Sequence, residues 1–291
     1  MPLPSTRAHE LLPGNEIGSY TIQRPIADGG EGILFVAYDR RDRKRVALKF
    51  PREPSAENIG RLRHEVAMGH EVHHPHVCKS ERVAEEAGFT FGIMEYVEGE
   101  NLRSILRRRR GPLPRAMAER VAAELCAGVS AMHVRELVHR DLKPENVMID
   151  DHGSVKIIDL GVAEFENRGL GEYFGTPEYM AREQIEGRAL KRTVDVFAIG
   201  VLLYEIFTGQ RWLQRDPTIE AAAHLSPLQR LAAQTQVILR QQTIPPPPPS
   251  DVNPGLDFNV DSLVMPCLAI DPGARPKADF LRDQWAELVR P

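Results

Sequence analysis

Cysteine is scarce and scattered in this chain of 291 residues. There are three, Cys78, Cys126 and Cys267, an odd number with no C-x-x-C spacing. That excludes a disulfide framework and fits reduced thiols in a cytoplasmic compartment. Long apolar runs are missing too. No stretch of about 18 apolar residues is there to span a bilayer, and the start, MPLPSTRAHELLPG, lacks the apolar core of a signal peptide. No membrane segment is expected within the chain. An excess of either charge is also absent: 37 Lys and Arg face 41 Asp and Glu, for a net charge of −4. That argues against nucleic acid as a partner. No internal repeat is evident, and low complexity is confined to the five prolines of 245–249. A stiff loop inside a domain is preferred there over a polyproline II ligand.

What is present suits a globular protein. With 42% hydrophobic and 27% charged residues, the chain can bury a core as one large domain or two lobes. Residues 20–26, 33–39 and 45–50 are short, β-rich and separated by turn residues, the pattern of an antiparallel sheet. Residues 56–72 switch to helical spacing, with Ile59, Leu62, Val66 and Met68 on one face. Two further strands are expected at 80–84 and 89–96. Beyond them the pattern is mainly helical, at 102–109, 116–134, 194–207 and 278–289. A small β-rich lobe thus precedes a larger helical one, with the seam near 97–99.

The motifs that carry chemistry lie along this frame. The first is ADGGEG, residues 27–32, between two strands. Glycines let backbone amides approach phosphate oxygens, although a Gly-rich hairpin turn has the same composition. VALK follows at 46–49, putting the Lys49 ammonium on the next strand, and RLRHEVAMG puts Glu65 on a helix, available to pair with it. HRDLKPEN, residues 139–146, packs an aspartate, a lysine and an asparagine into one short segment after an apolar helix.

The ordered set of Gly-rich loop, VALK, helical Glu65, IMEYVEGENL, HRDLKPEN, IIDLG and GTPEYMARE resembles the eukaryotic-type (Hanks-type) Ser/Thr protein kinases, and most of all their bacterial members. The resemblance runs from residue 20 to 289. It implies an α+β, two-lobed kinase fold: a small antiparallel sheet lobe with one helix, and a larger, mainly helical lobe. The expected divisions are an N-terminal extension at 1–19, a small lobe at 20–96 and a large lobe at 97–291, with a single catalytic domain over 20–289.

The resemblance also implies roles. ATP is the expected cosubstrate and Mg²⁺ the expected metal. Asp141 would accept the proton of the substrate hydroxyl while Lys143 meets the γ-phosphate. Asn146 and Asp159 would hold Mg²⁺. Gly29, Gly30, Gly32, Leu34, Ala47 and Lys49 would surround the nucleotide. Met94 takes the gatekeeper position, and the backbone of Glu95 and Val97 the adenine edge. Asn101 reads either as a ribose contact or as the cap of the helix beginning at Leu102. Lysine at position 143 points to serine or threonine in a protein as acceptor, with the Thr176 hydroxyl holding Asp141 and Lys143. Glu183 is expected to pair with Arg275. Arg140 is the usual docking point for an activation-segment phosphate. Because 159–183 contains no serine and only Thr176 as threonine, Glu172 is the expected permanent substitute for that charge, with Glu164 or Glu166 as alternatives. Activity independent of phosphorylation of that segment follows.

Departures from the family pattern are small. Ala27 stands for the first loop glycine, Leu34 for a valine, and Arg182 for the proline before Glu183. The last puts local rigidity in doubt. Four histidines and Cys78 in GHEVHHPHVC, residues 69–78, fit a family loop better than a zinc site. RRRR at 107–110 reads as a solvated helix end, and Trp212 and Trp285 as packing residues. The alternatives in function are a nucleotide-binding pseudokinase scaffold and a small-molecule phosphotransferase. The pseudokinase mark, loss of Lys49, Asp141 or Asp159, is missing.

Overall fold

A computed structural model of the chain describes residues 8–29, 32–166, 175–188, 191–222 and 224–290. Two units emerge: Met1–Glu98 with Ile158–Gly161, and Gly99–Ile157 with Val162–Pro291.

In the first unit, the β-rich segments form one antiparallel sheet. It comprises β1 (Glu16–Ile17), β2 (Tyr20–Gly29), β3 (Gly32–Asp39), β4 (Lys44–Phe50), β5 (Ser80–Glu86) and β6 (Phe89–Glu95), in the order β1-β2-β3-β4-β6-β5. Side chains alternate across a strand, and this alternation sorts the unit. Ile33, Phe35 and Ala37 of β3, Val46, Leu48 and Phe50 of β4, and Phe91 and Ile93 of β6 fill the core on one face. The alternate positions Leu34, Ala47, Lys49 and Met94 therefore share the other face. Register brings them close, with Leu34 opposite Lys49 and Ala47 opposite Met94. Leu11 and Ile17 are also in the core, so residues ahead of position 20, expected as an extension, close one end of the sheet.

Helix α1 (Ala56–Glu71) starts where the Ser55 side chain accepts from the Asn58 amide, and it buries Leu62, Glu65, Val66, Met68 and Gly69. It lies against the sheet at Gly92. A Cβ there would stand 3.0 Å from Val66 and 3.1 Å from Leu62. Gly92 is also the register partner of Lys49, so this close approach brings Glu65 to the lysine.

The second unit is mainly helical. Three short strands, β7 (Gly99–Asn101), β9 (Val147–Asp150) and β10 (Val155–Ile157), form one small sheet, and β8 (Leu137–Val138) pairs with β11 (Glu164–Phe165). The helices are α2 (Leu102–Arg109), α3 (Arg115–Val134), α4 (Arg182–Ile185), α5 (Thr193–Thr208), α6 (Pro217–Glu220), α7 (Pro227–Gln241), α8 (Pro249–Val252), α9 (Phe258–Val264) and α10 (Ala278–Val289). Every residue of α5 from Val194 to Thr208 is buried. A mainly apolar helix buried all round has to be central. Trp285 of α10, fully buried, stacks on Phe207 of α5 at 5.3 Å. The prolines of 245–249 form a loop that leads into α8, with Pro246 and Pro249 buried. No helix among the described residues is long and apolar enough to cross a membrane.

Candidate active site

Each unit carries its own cluster of reactive groups. In the first, Lys49 Nζ lies 2.8 Å from both carboxylate oxygens of Glu65 and 3.8 Å from Asp159 Oδ1. Burial pushes the Glu65 carboxyl above its ordinary range. Lys49 opposes that rise and the Asp159 charge adds to it. Asp159 is held in the left-handed region at φ 64°, a conformation non-glycine residues adopt at local cost. The Gly161 amide donates to its Oδ1 at 3.3 Å. A side chain at Gly161 would press on that same oxygen, its Cβ 3.2 Å away.

The segment expected to meet adenine is oriented from outside. The Glu95 amide donates to the Lys79 carbonyl at 2.8 Å, and Cys78 Sγ lies 3.5 Å from the Glu95 carbonyl oxygen. Met94 and Val97 are half-buried. At the Gly-rich turn, Gly32 has φ 134° and passes so near β4 that a Cβ would sit 2.4 Å from the Phe50 carbonyl oxygen. Gly29 has open space instead, and its carbonyl accepts from Arg52, which also bonds Asp28. Gly30 lies outside the described residues.

In the second unit, the octapeptide and Thr176 form one bonded group. Lys143 Nζ donates to Asp141 Oδ2 at 2.5 Å and to Thr176 Oγ1 at 3.1 Å, while the Thr176 hydroxyl donates to Asp141 Oδ1 at 2.9 Å. Asn146 spends its amide nitrogen on Asp141, at 3.0 Å to the carbonyl and 3.4 Å to Oδ2. That turns its Oδ1 to other use. Asn101 caps α2, its side chain accepting from the Ser104 amide at 2.9 Å.

Asp195, which the sequence marked only as part of a segment typical of protein kinases and gave no role, anchors this loop. It is 1% exposed in the first turn of α5. Its oxygens accept from the His139 and Arg140 amides, both at 2.9 Å, and lie 2.8 Å from His133 Nε2. Burial alone would raise its pKa, but the His133 bond and the neighbouring imidazole and amide groups outweigh it and hold the carboxyl below its ordinary range. Arg140 has φ 72°, and bonds fix it on both sides: its amide to Asp195, its carbonyl from Gln184 Nε2 at 2.8 Å. The signal for Asp195 was an acid in the opening turn of a mainly apolar helix.

Burial also lowers the pKa of the Arg140 guanidinium, against the opposing charges of Glu164 and Asp195. Glu164 is set there by pairing with Val138, two residues before Arg140. Glu172 lies outside the described residues. Glu183 and Arg275 form a buried, two-pronged ion pair, at 2.5 and 3.1 Å, and the remaining guanidinium bonds go to the Ala269, Ile270 and Thr193 carbonyls. Arg182 opens α4, a position where proline loses nothing but where any residue is tolerated, and its Nε bonds Glu186 at 2.8 Å. Its side chain supplies a local tie in place of ring rigidity.

A β-sheet unit holding a Lys-Glu-Asp cluster, with a helical unit holding an Asp-Lys-Thr-Asn cluster, defines the class of protein kinase catalytic domains. The chain belongs to this family: the protein kinase domain model matches residues 20–286. Its relatives include serine/threonine-protein kinase drp72 of Corynebacterium efficiens, 33% identical over 71% of this chain and 42% of the relative. PknA of Corynebacterium glutamicum is 32% identical over 71% of this chain and 47% of the relative. PrkC of Bacillus subtilis is 28% identical over 90% and 39%. The chain thus spans less than half the length of these relatives.

Proposed function

We propose that this chain transfers the γ-phosphate of ATP to serine or threonine hydroxyls of protein substrates, in the cytoplasm, where its three free cysteines persist as thiols. The observation that carries the reading is the bonded group of Asp141, Lys143 and Thr176. Phosphoryl transfer needs positioning and charge stabilisation more than covalent chemistry. Asp141 accepts the acceptor hydroxyl's proton and aims its oxygen. Lys143 is already fixed beside Asp141 and offsets the negative charge of the transferring group. Lys49, held by Glu65, takes the nucleotide phosphates, and the sheet face of Leu34, Ala47 and Met94 takes the base, with the backbone of Glu95 and Val97 at its edge. Asn101, whose Oδ1 already caps α2, is left with its amide nitrogen for the ribose.

Mg²⁺, a hard cation that takes oxygen ligands, suits the donor type that each unit offers by itself: the Asp159 carboxylate in the first and the amide oxygen Oδ1 of Asn146 in the second. When bound, the ion supplies neutralisation of the phosphate oxygens. A nucleotide-binding scaffold without catalysis is not favoured, since Lys49, Asp141 and Asp159 are all retained. In regulation, the Glu164 charge at Arg140 supports activity without a phosphate on 159–183, and Glu172 remains a second carboxylate for that role.

The test uses chain shown by mass spectrometry to be free of phosphate, incubated with labelled ATP, Mg²⁺ and a general protein acceptor. The expected result is phosphoserine or phosphothreonine, with transfer by Asp141→Ala reduced about a hundredfold or more. No transfer, phosphotyrosine alone, or an unimpaired Asp141→Ala protein would overturn the reading. Activity that appears only after phosphorylation within 159–183 would remove its regulatory part.

A further inference from the structure

Arg103 is the second residue of α2, and it is 4% exposed. Charged side chains are seldom buried unless every donor is used. Here Nε donates to Glu145 Oε1 at 2.8 Å, Nη1 to Glu205 Oε1 at 2.6 Å, and Nη2 to the Tyr179 hydroxyl and to Glu205 Oε2 at 3.3 Å. The Tyr179 hydroxyl in turn donates to Glu205 Oε2 at 2.6 Å. One planar guanidinium thus meets groups from three separate stretches of chain, a task its rigid fork suits and a lysine ammonium does not.

Two of those stretches carry the transfer machinery. Glu145 sits in the turn Pro144–Asn146, between Lys143 and Asn146. Tyr179 sits in the turn Pro177–Tyr179, capped by Thr176. The third, Glu205, belongs to the buried helix α5 and gives both turns a fixed reference. The Lys143 to Thr176 and Thr176 to Asp141 bonds join these same two stretches about the reacting hydroxyl's expected position. Arg103 adds a second tie between the two turns, separate from those side chains.

We propose that Arg103 is a positioning residue of the phosphoryl transfer, fixing the turn of Lys143 and Asn146 against the turn of Thr176 through Glu145 and Tyr179. It touches no reacting atom. The proposal rests on the kinase reading above and deepens it. Its signature is a loss in kcat with KM for ATP kept, because the lost quantity is alignment of the reacting groups and small misplacements are costly to rate.

The experiment compares the parent chain with Arg103→Lys, which keeps the charge but not the fork, and with Tyr179→Phe, which removes one hydroxyl. Both are assayed well below their melting midpoints. Expected for Arg103→Lys is a kcat per folded molecule lower by about tenfold to a hundredfold, KM for ATP within about twofold, and a smaller kcat loss in Tyr179→Phe. Hydrogen exchange supplies a readout that does not need activity. The Asn146 and Tyr179 amides, bonded to the Lys143 and Thr176 carbonyls at 2.9 Å, should exchange faster in Arg103→Lys while amides in α5 keep their protection. A kcat per folded molecule equal to the parent's, or faster exchange spread evenly through the unit, would reduce Arg103 to a general stabiliser and overturn the proposal. A parent chain without transferase activity would instead overturn the kinase reading, and unchanged exchange at the two turns would then also refute the coupling.

Discussion

Glu65 in one unit and Asp195 in the other are both nearly sealed from solvent, 5% and 1% exposed, yet burial leaves them in opposite conditions. Burial raises the pKa of Glu65 beyond what Lys49, with a smaller effect from His64, restores, and Asp159 adds a like charge nearby. Asp195 has two backbone amides and His133 upon it, and its pKa falls despite greater burial. Glu205 follows Asp195: burial opposes it, but Arg103, Tyr179 and Arg211 together hold it down. The difference is how many donors a buried carboxylate has been given. Asp195 and Glu205 have their oxygens committed, which suits groups that fix a catalytic loop. Glu65 shares the Lys49 ammonium with Asp159, at 2.8 Å and 3.8 Å.

The strongest way to break this contrast is to remove the acceptors in each place. Asp195→Asn would replace one carboxylate oxygen with an NH₂ group, set either against the Arg140 amide or against the His139 amide and His133. Orphaned buried donors and a broken buried charge interaction together cost about 3 to 5 kcal/mol. Glu65→Gln, which removes a carboxylate already resisted by its surroundings, should cost about 1 kcal/mol or less. Urea unfolding of both variants checks the expectation. Equal losses would mean that the number of donors does not distinguish the two sites.

How much of this was legible in the sequence follows the reach of each interaction. Asp141, Lys143 and Asn146 sit within one short segment, and Lys49 and Glu65 each sit in a local pattern, strand or helix, that declares which face is turned to the core. The strands around them and α1, α2, α3, α5 and α10 were readable from periodicity for the same reason. Asp195 and the Arg103 group were not, because their partners lie 42 to 102 residues away in sequence and nothing local names those partners. Helix α7 was missed for another reason. Its apolar residues Leu228 and Leu231 are turned to solvent, 77% and 36% exposed, so the apolar stripe is weak. Its start was written plainly, though, with Ser226 and Gln229 forming a capping box around Pro227. The grouping of Ile158–Gly161 with the first unit is likewise invisible to any division made along the chain.

A second test sharpens the contrast at Lys49. Lys49→Met removes the cation beside Glu65, and a buried carboxylate normally suffers when its partner goes. Because burial already raises the Glu65 pKa and loss of Lys49 raises it further, the carboxyl takes up a proton more readily than an ordinary glutamate. The melting midpoint should therefore fall much less than in Asp195→Asn. Transfer activity should fall about a hundredfold to a thousandfold, the usual loss for one preorganised charge in a reaction site. Activity assays alongside thermal unfolding separate the two effects. A midpoint lowered as far as that of Asp195→Asn would show Lys49 and Glu65 to be a structural pair.

The smallest expected effect is in pH dependence, and there the contrast appears as a sign. Glu205 has a folded pKa below the ordinary glutamate value of 4.5. Its contribution to stability is therefore complete above that value and is lost as pH falls through the folded one. Glu65 has a folded pKa above 4.5, so its contribution is complete below 4.5 and is lost as pH rises through the folded value. Each group alters the slope of stability by at most about 1.4 kcal/mol per pH unit, the limit for one proton. Urea midpoints of metal-free chain from about pH 3 to about pH 7 should show Glu205→Gln flattening the acid fall of the parent curve, below 4.5. Glu65→Gln should act only above 4.5, by removing a decline. It should make the curve at neutral pH higher relative to its acid end than in the parent. A Glu65→Gln curve that loses stability on the acid side, as Glu205→Gln does, would place Glu65 with the fully bonded carboxylates and erase the distinction between the two units.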